Sequence, residues 1–265
     1  MKQQFTKSLF LVLLTVILST FSLAKKPSSE VMSDTMELID MAGKQRMLSQ
    51  RIAKNYLYMG RKVATSKAKR QLAKSLKELH DAHTILVESI NDPDIKNLLS
   101  FVEMSTEDFD DTANESFSID NAQLIMDLSE SMLEGSQYVV TSLKDTVSTN
   151  ESKIVALAGK QRMLAQRIAK YYIAYQSGIK DQNTVTQMQD AVKSFSDTHK
   201  ILMANSKNTP AINRNLKRID RLWKIVYKFY LNIEKGGLPL IVYNTTDTIT
   251  KKMNVVTGLY SDLYK

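Results

Sequence analysis

The residues best suited to chemistry are two arginines that stand in the same polar setting. A Gly-x-x-Arg-x-x-x-Gln pattern occurs twice, as Gly43, Arg46, Gln50 and as Gly159, Arg162, Gln166. On a helix this spacing puts the three side chains on one face. A glycine inside a helix costs about 1 kcal/mol relative to alanine, so it usually marks the close approach of another backbone. An arginine beside such a contact loses water and needs a carboxylate or a bound anion, because an unpaired buried charge is expensive.

Two interpretations of these arginines stay open at this point. If the two faces pack together in parallel, Arg46 and Arg162 approach each other, and two guanidinium groups suit a small planar anion with bidentate acceptors. Alternatively, the Gly/Gln face only pairs helices, and glutamates or backbone carbonyls satisfy both arginines. Core packing alone accepts many apolar combinations. The near-identity of the polar positions therefore favours a specific shared role.

Other kinds of chemistry find no support in the sequence. There is no Ser-His-Asp grouping, no pair of catalytic carboxylates and no phosphate loop at a usable spacing, so we predict that the protein is not an enzyme and needs no cofactor. The absence of cysteine excludes thiol chemistry and cysteine metal sites. His80, His83 and the copy His199 are predicted to lie on helix surfaces rather than to bind a metal. The formal charge of +8 is spread along the chain, and no nucleic-acid partner is expected.

The elements that must position the arginines come from an internal duplication. A shift of 116 positions aligns Ala42–Tyr56 with Ala158–Tyr172, with 13 of 15 residues identical. Hydrophobic periodicity and turn residues predict four helices in each copy, at about 31–61, 66–89, 94–114 and 121–147, and then at about 151–175, 183–204, 211–234 and 241–263. Four helices with short links pack up-down-up-down. We therefore predict an all-α fold of two tandem antiparallel four-helix bundles, at residues 31–147 and 151–265.

The repeated helix has a second face, which we predict to be its conventional core stripe. Its residues follow spacings of three, four and seven: Leu38, Met41, Leu48, Ile52 and Met59. It lies nearly opposite the face that carries the arginines. The repeated helix is thus expected to pack its own bundle with one face and to present the other to its copy.

The N-terminus has the pattern of a secretory signal peptide over residues 1–24. Lys2 and Lys7 precede a ten-residue apolar run, and Ser22-Leu23-Ala24 offers small residues for cleavage after Ala24. The run is short for a membrane span, although an uncleaved anchor is the alternative. This pattern predicts a periplasmic protein.

The repeated segments, 42–53 and 158–169, resemble the N-terminal sensor domain of type IV pilus methyl-accepting chemotaxis transducers, the PilJ/NarX type. Nitrate and nitrite sensor kinases carry a related A-G-x-x-R-M segment on their first periplasmic helix. The resemblance implies a periplasmic four-helix bundle that detects a ligand or partner and signals across the membrane. In the nitrate sensors, the arginine at the position of Arg46 binds the anion at the dimer interface. Carried across, Arg46 and Arg162 become candidate ligands within a single chain, with Gly43 and Gly159 allowing close approach.

The sequence thus predicts a periplasmic sensory protein that binds a small anion, nitrate-like or a carboxylate, between its repeats. The candidate ligand-binding residues are Arg46, Arg162, Gly43, Gly159, Gln50 and Gln166. Because no output domain is evident, a separate membrane receptor, histidine kinase or cyclase is the expected partner. The alternative is a protein–protein adaptor of type IV pili or of envelope signalling complexes, with no small-molecule ligand. The oligomeric state, including a homodimer, stays open.

Overall fold

The protein is helical throughout the part described by the computed structural model, which covers residues 29–147 and 149–264. These residues form eight α-helices and one short 3-10 helix, with no strand: α1 Ser29–Gly60, α2 Thr65–Ser89, α3 Pro93–Asn114, α4 Ile119–Val147, α5 Asn150–Gln176, α6 Gln182–Ala204, α7 Pro210–Leu231, η1 Ile233–Lys235 and α8 Pro239–Leu263. The predicted all-α fold is confirmed. The predicted signal peptide, residues 1–24, lies outside the described residues.

Local sequence signals explain where the helices begin. The side chain of Asp92 accepts hydrogen bonds from the amides of Asp94 and Ile95 at the start of α3. In the second copy Thr209 accepts from the amide of Ile212 at the start of α7. Each capping residue is followed by a proline at the first helical position, where a missing N–H costs nothing. The two turns are therefore the same structural device in both copies.

One helix is shorter than predicted. α7 ends at Leu231, three residues before the predicted end, because Asn232 leaves the helical region of backbone space. A single 3-10 turn, Ile233–Lys235, follows, and Gly236 then adopts a positive φ of 68°. A glycine makes that left-handed conformation inexpensive. The chain is thereby turned into α8.

Helices α1 to α4 form one bundle and α5 to α8 another; the two bundles meet along α1 and α5 and share one continuous hydrophobic core. These two helices run parallel. Near the end of α1, the Tyr58 hydroxyl donates to the carbonyl of Pro239, and at the end of α5, Gln176 donates to the carbonyl of Ile233. Both ends therefore lie at the connection between α7 and α8. None of the helices within the described ranges has the length and apolar character that a membrane span requires.

This arrangement buries α1 and α5 on two faces. On α1, the predicted core stripe is only partly buried at Leu38, Met41 and Met59, whereas Leu48 and Ile52 are fully buried. The face that carries Arg46 is buried along its whole length, from Ile39 to Leu57. The better-buried face is thus the one opposite the predicted core stripe, because it lies between the two bundles.

Candidate functional site

The glycines of the two repeated helices leave space for the tips of both arginines. A methyl group added to Gly43 would lie 3.9 Å from the Cα of Gly159 and 3.3 Å from the Nη2 atoms of both Arg46 and Arg162. One added to Gly159 would lie 3.4 Å from Nη2 of Arg162 and 3.6 Å from that of Arg46. The structure therefore brings these four predicted residues together. The two helix faces pack in parallel, which was one of the two interpretations that the sequence left open. We call this contact region the arginine seam.

Both arginines of the seam are almost completely buried, but their partners differ. Arg162 is 1% exposed; its Nη1 donates to Oδ1 of Asn254 at 2.8 Å and its Nη2 to Oδ1 of Asp40 at 2.5 Å. Arg46 is 2% exposed, and its Nη1 donates to Oε1 of Gln137. Within the described part of the chain, Nε of both arginines lacks a hydrogen-bond partner, and Nη2 of Arg46 lacks one as well. Arg162 is therefore paired with an internal carboxylate, whereas no salt bridge of Arg46 is found among the described residues.

The electrostatics of the seam follow from this difference. Burial, reinforced by the positive charge of Arg162, lowers the pKa of Arg46 to about 9, although Asp40 raises it. The guanidinium group still carries its charge at neutral pH. Burial, together with Arg46 and Arg167, also lowers the pKa of Lys160 on α5. The space around Arg46 is therefore a region of positive charge that Asp40 compensates only in part, and a bound anion would relieve it.

The two glutamines of the pattern have a different position. Both donor hydrogens of Gln50 are engaged, by the carbonyl of Ser129 on α4 at 2.7 Å and by the hydroxyl of Ser49. Gln166 donates to the hydroxyl of Thr250 on α8, also at 2.7 Å. These bonds attach each repeated helix to the fourth helix of its own bundle. The role of Gln50 and Gln166 as ligands stays a prediction, and the bonds seen here indicate that they position helices.

A pair of buried ion clusters near the ends of the two aligned segments was not predicted from the sequence. Lys54 of α1 bonds Asp247 of α8 at 2.6 Å, and Lys170 of α5 bonds Glu130 of α4 at 2.5 Å. Both lysine side chains are fully buried. Each cluster joins a repeated helix of one bundle to the fourth helix of the other bundle. The sequence feature that could have indicated them is the lysine at equivalent positions of the two aligned segments, Lys54 and Lys170.

The charges in these clusters are strongly coupled. Burial lowers the pKa of each lysine to about 8, against the opposing attraction of Asp247 or Glu130. Burial raises the pKa of Glu130, but Lys170 and Arg167 outweigh it and bring it to about 2. Glu130 is thus ionised and faces two cations. The clusters contribute to the contact between the two bundles as long as their carboxylates stay charged.

The histidine prediction is partly wrong. His80 is exposed and bonds Asp110, as expected for a helix surface. His199, however, is 4% exposed and stacks on the ring of Phe195, because it lies on the face of α6 that packs against α7. Burial lowers its pKa. No group of three metal-binding side chains occurs among the residues that the structure describes.

Comparison with known families agrees with this architecture of two sensor-like bundles. The model of the N-terminal domain of type IV pili methyl-accepting chemotaxis transducers matches residues 29–108 and 146–235, once in each repeat. The chain therefore belongs to this family, called PilJ, and carries two copies of its domain. The family consists of transducer sensor domains and is not a catalytic one, which supports a role in sensing and signalling. No curated protein and no solved structure matched the chain.

Proposed function

We propose that this protein is a periplasmic sensory protein that binds one small anion in the arginine seam and passes its state to a separate membrane partner. The observation that carries the proposal is the buried Arg46, whose Nε and Nη2 have no partner within the described residues. These two N–H groups form the edge of the guanidinium that binds a carboxylate or a nitrate-like anion through two parallel hydrogen bonds. Nearby Arg162 adds a second positive charge.

The position of the seam suggests how binding could be transmitted. The anion would lie between α1 and α5, which form the contact between the two bundles. Its contacts would favour the arrangement of the two helices that brings the arginine tips together. A partner that recognises this arrangement would then bind more strongly when the anion is present, and the coupling is reciprocal. A membrane receptor, a histidine kinase or a cyclase would serve as this partner.

The periplasmic location rests on the N-terminal signal pattern and on family membership. PilJ domains are typically periplasmic in transducers. Nitrate, nitrite and a carboxylate can each accept two parallel hydrogen bonds from a guanidinium group, so all three fit the seam. A small anion of this kind would be the signal that the exported domain detects.

Isothermal titration calorimetry tests the proposal. The purified protein is titrated with nitrate, nitrite and acetate in a buffer free of other small anions. We expect one anion per chain for the wild type and no binding for an Arg46→Ala/Arg162→Ala double variant. Lys193→Ala is the matched control, because Lys193 is an exposed cation on α6 and its loss should leave binding unchanged. Binding that persists in the double variant would exclude the seam as the site.

A protein–protein adaptor of pili or envelope complexes is the second candidate function. The observation that favours it is the exposure of Phe101 and Met104 on α3, which are 51% and 72% accessible. Exposed large apolar side chains are common in protein interfaces. A stable envelope partner recovered by pull-down, together with no thermal shift from any anion, would support the adaptor role.

A further inference from the structure

Two corresponding grooves flank the arginine seam, and the duplication allows a direct comparison between them. One lies between α4 and α5, has a volume of about 420 Å³ and includes Arg46 in its lining. The other lies between α1 and α8, has a volume of about 760 Å³ and includes Arg162 and Asn254. The 116-residue shift relates the α5 residues of the first groove, Lys153, Ala156, Leu157 and Lys160, to Glu37, Asp40, Met41 and Lys44 of α1.

The second groove shows how the arginine of the second repeat is paired. There, the carboxylate of Asp40 accepts a hydrogen bond from Nη2 of Arg162. The residue that corresponds to Asp40 in the first groove is Ala156, which has only a methyl group. Among the described residues, none therefore supplies the corresponding carboxylate to Arg46, and its Nε and Nη2 have no partner there. A carboxylate from a ligand would complete the arrangement that the other copy makes internally.

The remaining lining of the first groove is suited to a second negative group. Lys144, Lys153 and Lys160 line it with Arg46, and none of its described lining residues is acidic. Lys144 also lies 3.6 Å from the carboxylate of its neighbour Asp145. In contrast, the lining of the second groove combines six cations with three carboxylates, those of Asp40, Glu78 and Asp247. Both grooves are therefore cationic, but only the second has carboxylates in its lining to pair with its cations.

The size of the first groove agrees with a ligand larger than a single planar anion. A nitrate or a nitrite is comparable with one or two water molecules, which each take roughly 30 Å³ in the liquid. A volume of about 420 Å³ leaves room for a short carbon chain with a second charged end. Lys153 lies one helical turn before Ala156 and Lys160 one turn after it, on the same face of α5 and within the same lining.

We propose that the ligand of the seam is a short dicarboxylate. One carboxylate binds Nε and Nη2 of Arg46 and so supplies the kind of partner that Asp40 provides for Nη2 of Arg162. The other carboxylate binds Lys153 and Lys160 in the groove between α4 and α5. This proposal rests on the proposed function, because it names the ligand class of the same site.

Calorimetry with a matched series of anions tests the ligand class. The probes are succinate, propionate, nitrate and inorganic phosphate, at equal ionic strength. We expect succinate to bind roughly tenfold or more tightly than propionate, as one additional charge-assisted contact implies. A Lys153→Ala/Lys160→Ala variant should lose this preference and keep the affinity for propionate. Equal binding of succinate and propionate by the wild type, or tighter binding of phosphate than of succinate, would overturn the proposal.

A variant of Ala156 tests the internal mimic. Ala156→Asp should supply the missing carboxylate, raise the melting temperature in anion-free buffer and abolish succinate binding. Ala156→Asn, which has the same shape without the charge, should retain more of the binding than Ala156→Asp does. Equal loss in both variants would mean that the side chain only blocks the groove and would count against the carboxylate position. Nitrate binding that requires Arg46, without binding of succinate, would refute the dicarboxylate and leave the proposed function standing, whereas no binding of any anion would refute the proposed function itself.

Discussion

Replacing each seam arginine by methionine should change stability in opposite directions. Methionine has a similar length, no charge and a flexible shape that fills irregular space. Arg46→Met removes a buried cation that forms no salt bridge with any described residue, so we expect the protein to become more stable in the absence of anions. Arg162→Met removes the partner of Asp40, so we expect it to become less stable.

The structure sets the size of both effects. The lowering of the Arg46 pKa from 12.5 to about 9 corresponds to about 5 kcal/mol of unfavourable free energy for the charged form in the folded state. Loss of the hydrogen bond to Gln137 and of some packing returns about 1.5–3 kcal/mol of this. A net gain of about 2–3.5 kcal/mol follows for Arg46→Met, or roughly 4–14 °C in melting temperature. Arg162→Met loses a charge-assisted pair, at a cost of about 1.5–3 kcal/mol, while the half-buried Asp40 regains water.

Urea denaturation and thermal unfolding, both at neutral pH in anion-poor buffer, measure these changes. The two variants serve as each other's control, because they make the same substitution on equivalent helices. If Arg46→Met destabilises the protein as much as Arg162→Met does, Arg46 has a compensating partner and the reasoning fails. A saturating anion should reduce the stability gap between the wild type and Arg46→Met, since binding stabilises only the wild type.

Two further predictions concern the bundle contact and the glycines. Glu130→Gln should destabilise the protein by about 3–5 kcal/mol, because it leaves Lys170 and Arg167 buried without their carboxylate; the exposed Asp197→Asn should cost under about 0.5 kcal/mol in the same urea titration. Because the pKa of Glu130 is lowered from 4.5 to about 2, the ionised group stabilises the protein at pH values above 4.5, and this stability is lost as the pH falls toward about 2. The difference in unfolding free energy between the wild type and Glu130→Gln should therefore narrow over that pH range. Gly43→Ala puts a methyl group 3.3 Å from both arginine tips, so it should weaken anion binding in calorimetry with little change in melting temperature. Gly258→Ala is the control, because the space around Gly258 is open; it should stabilise the protein by about 1 kcal/mol without affecting binding. Equal anion affinity in the two glycine variants would contradict the close contact.

Much of the fold could be predicted because it depends on local signals. Helix boundaries follow from caps, prolines and hydrophobic periodicity, which act within a few residues, and the duplication repeats them in the second copy. The end of α7 was misplaced because Asn232 and Gly236 interrupt a periodicity that continues in the sequence. The burial of His199 was missed because it depends on how α6 packs against its neighbouring helices, which the local sequence pattern does not show.

The sequence by itself determined that Gly43 and Arg46 share a helix face with the same pattern in a second helix. That follows from spacing and from the geometry of the α-helix. Only the tertiary structure decided that the two arginines are not equivalent. The carboxylate of Asp40 reaches Arg162 from the opposite helix, and Ala156 offers nothing comparable to Arg46. Because these residues are more than a hundred positions apart from their arginines, their contacts depend on the register between two bundles, and local pattern carries no information about that register.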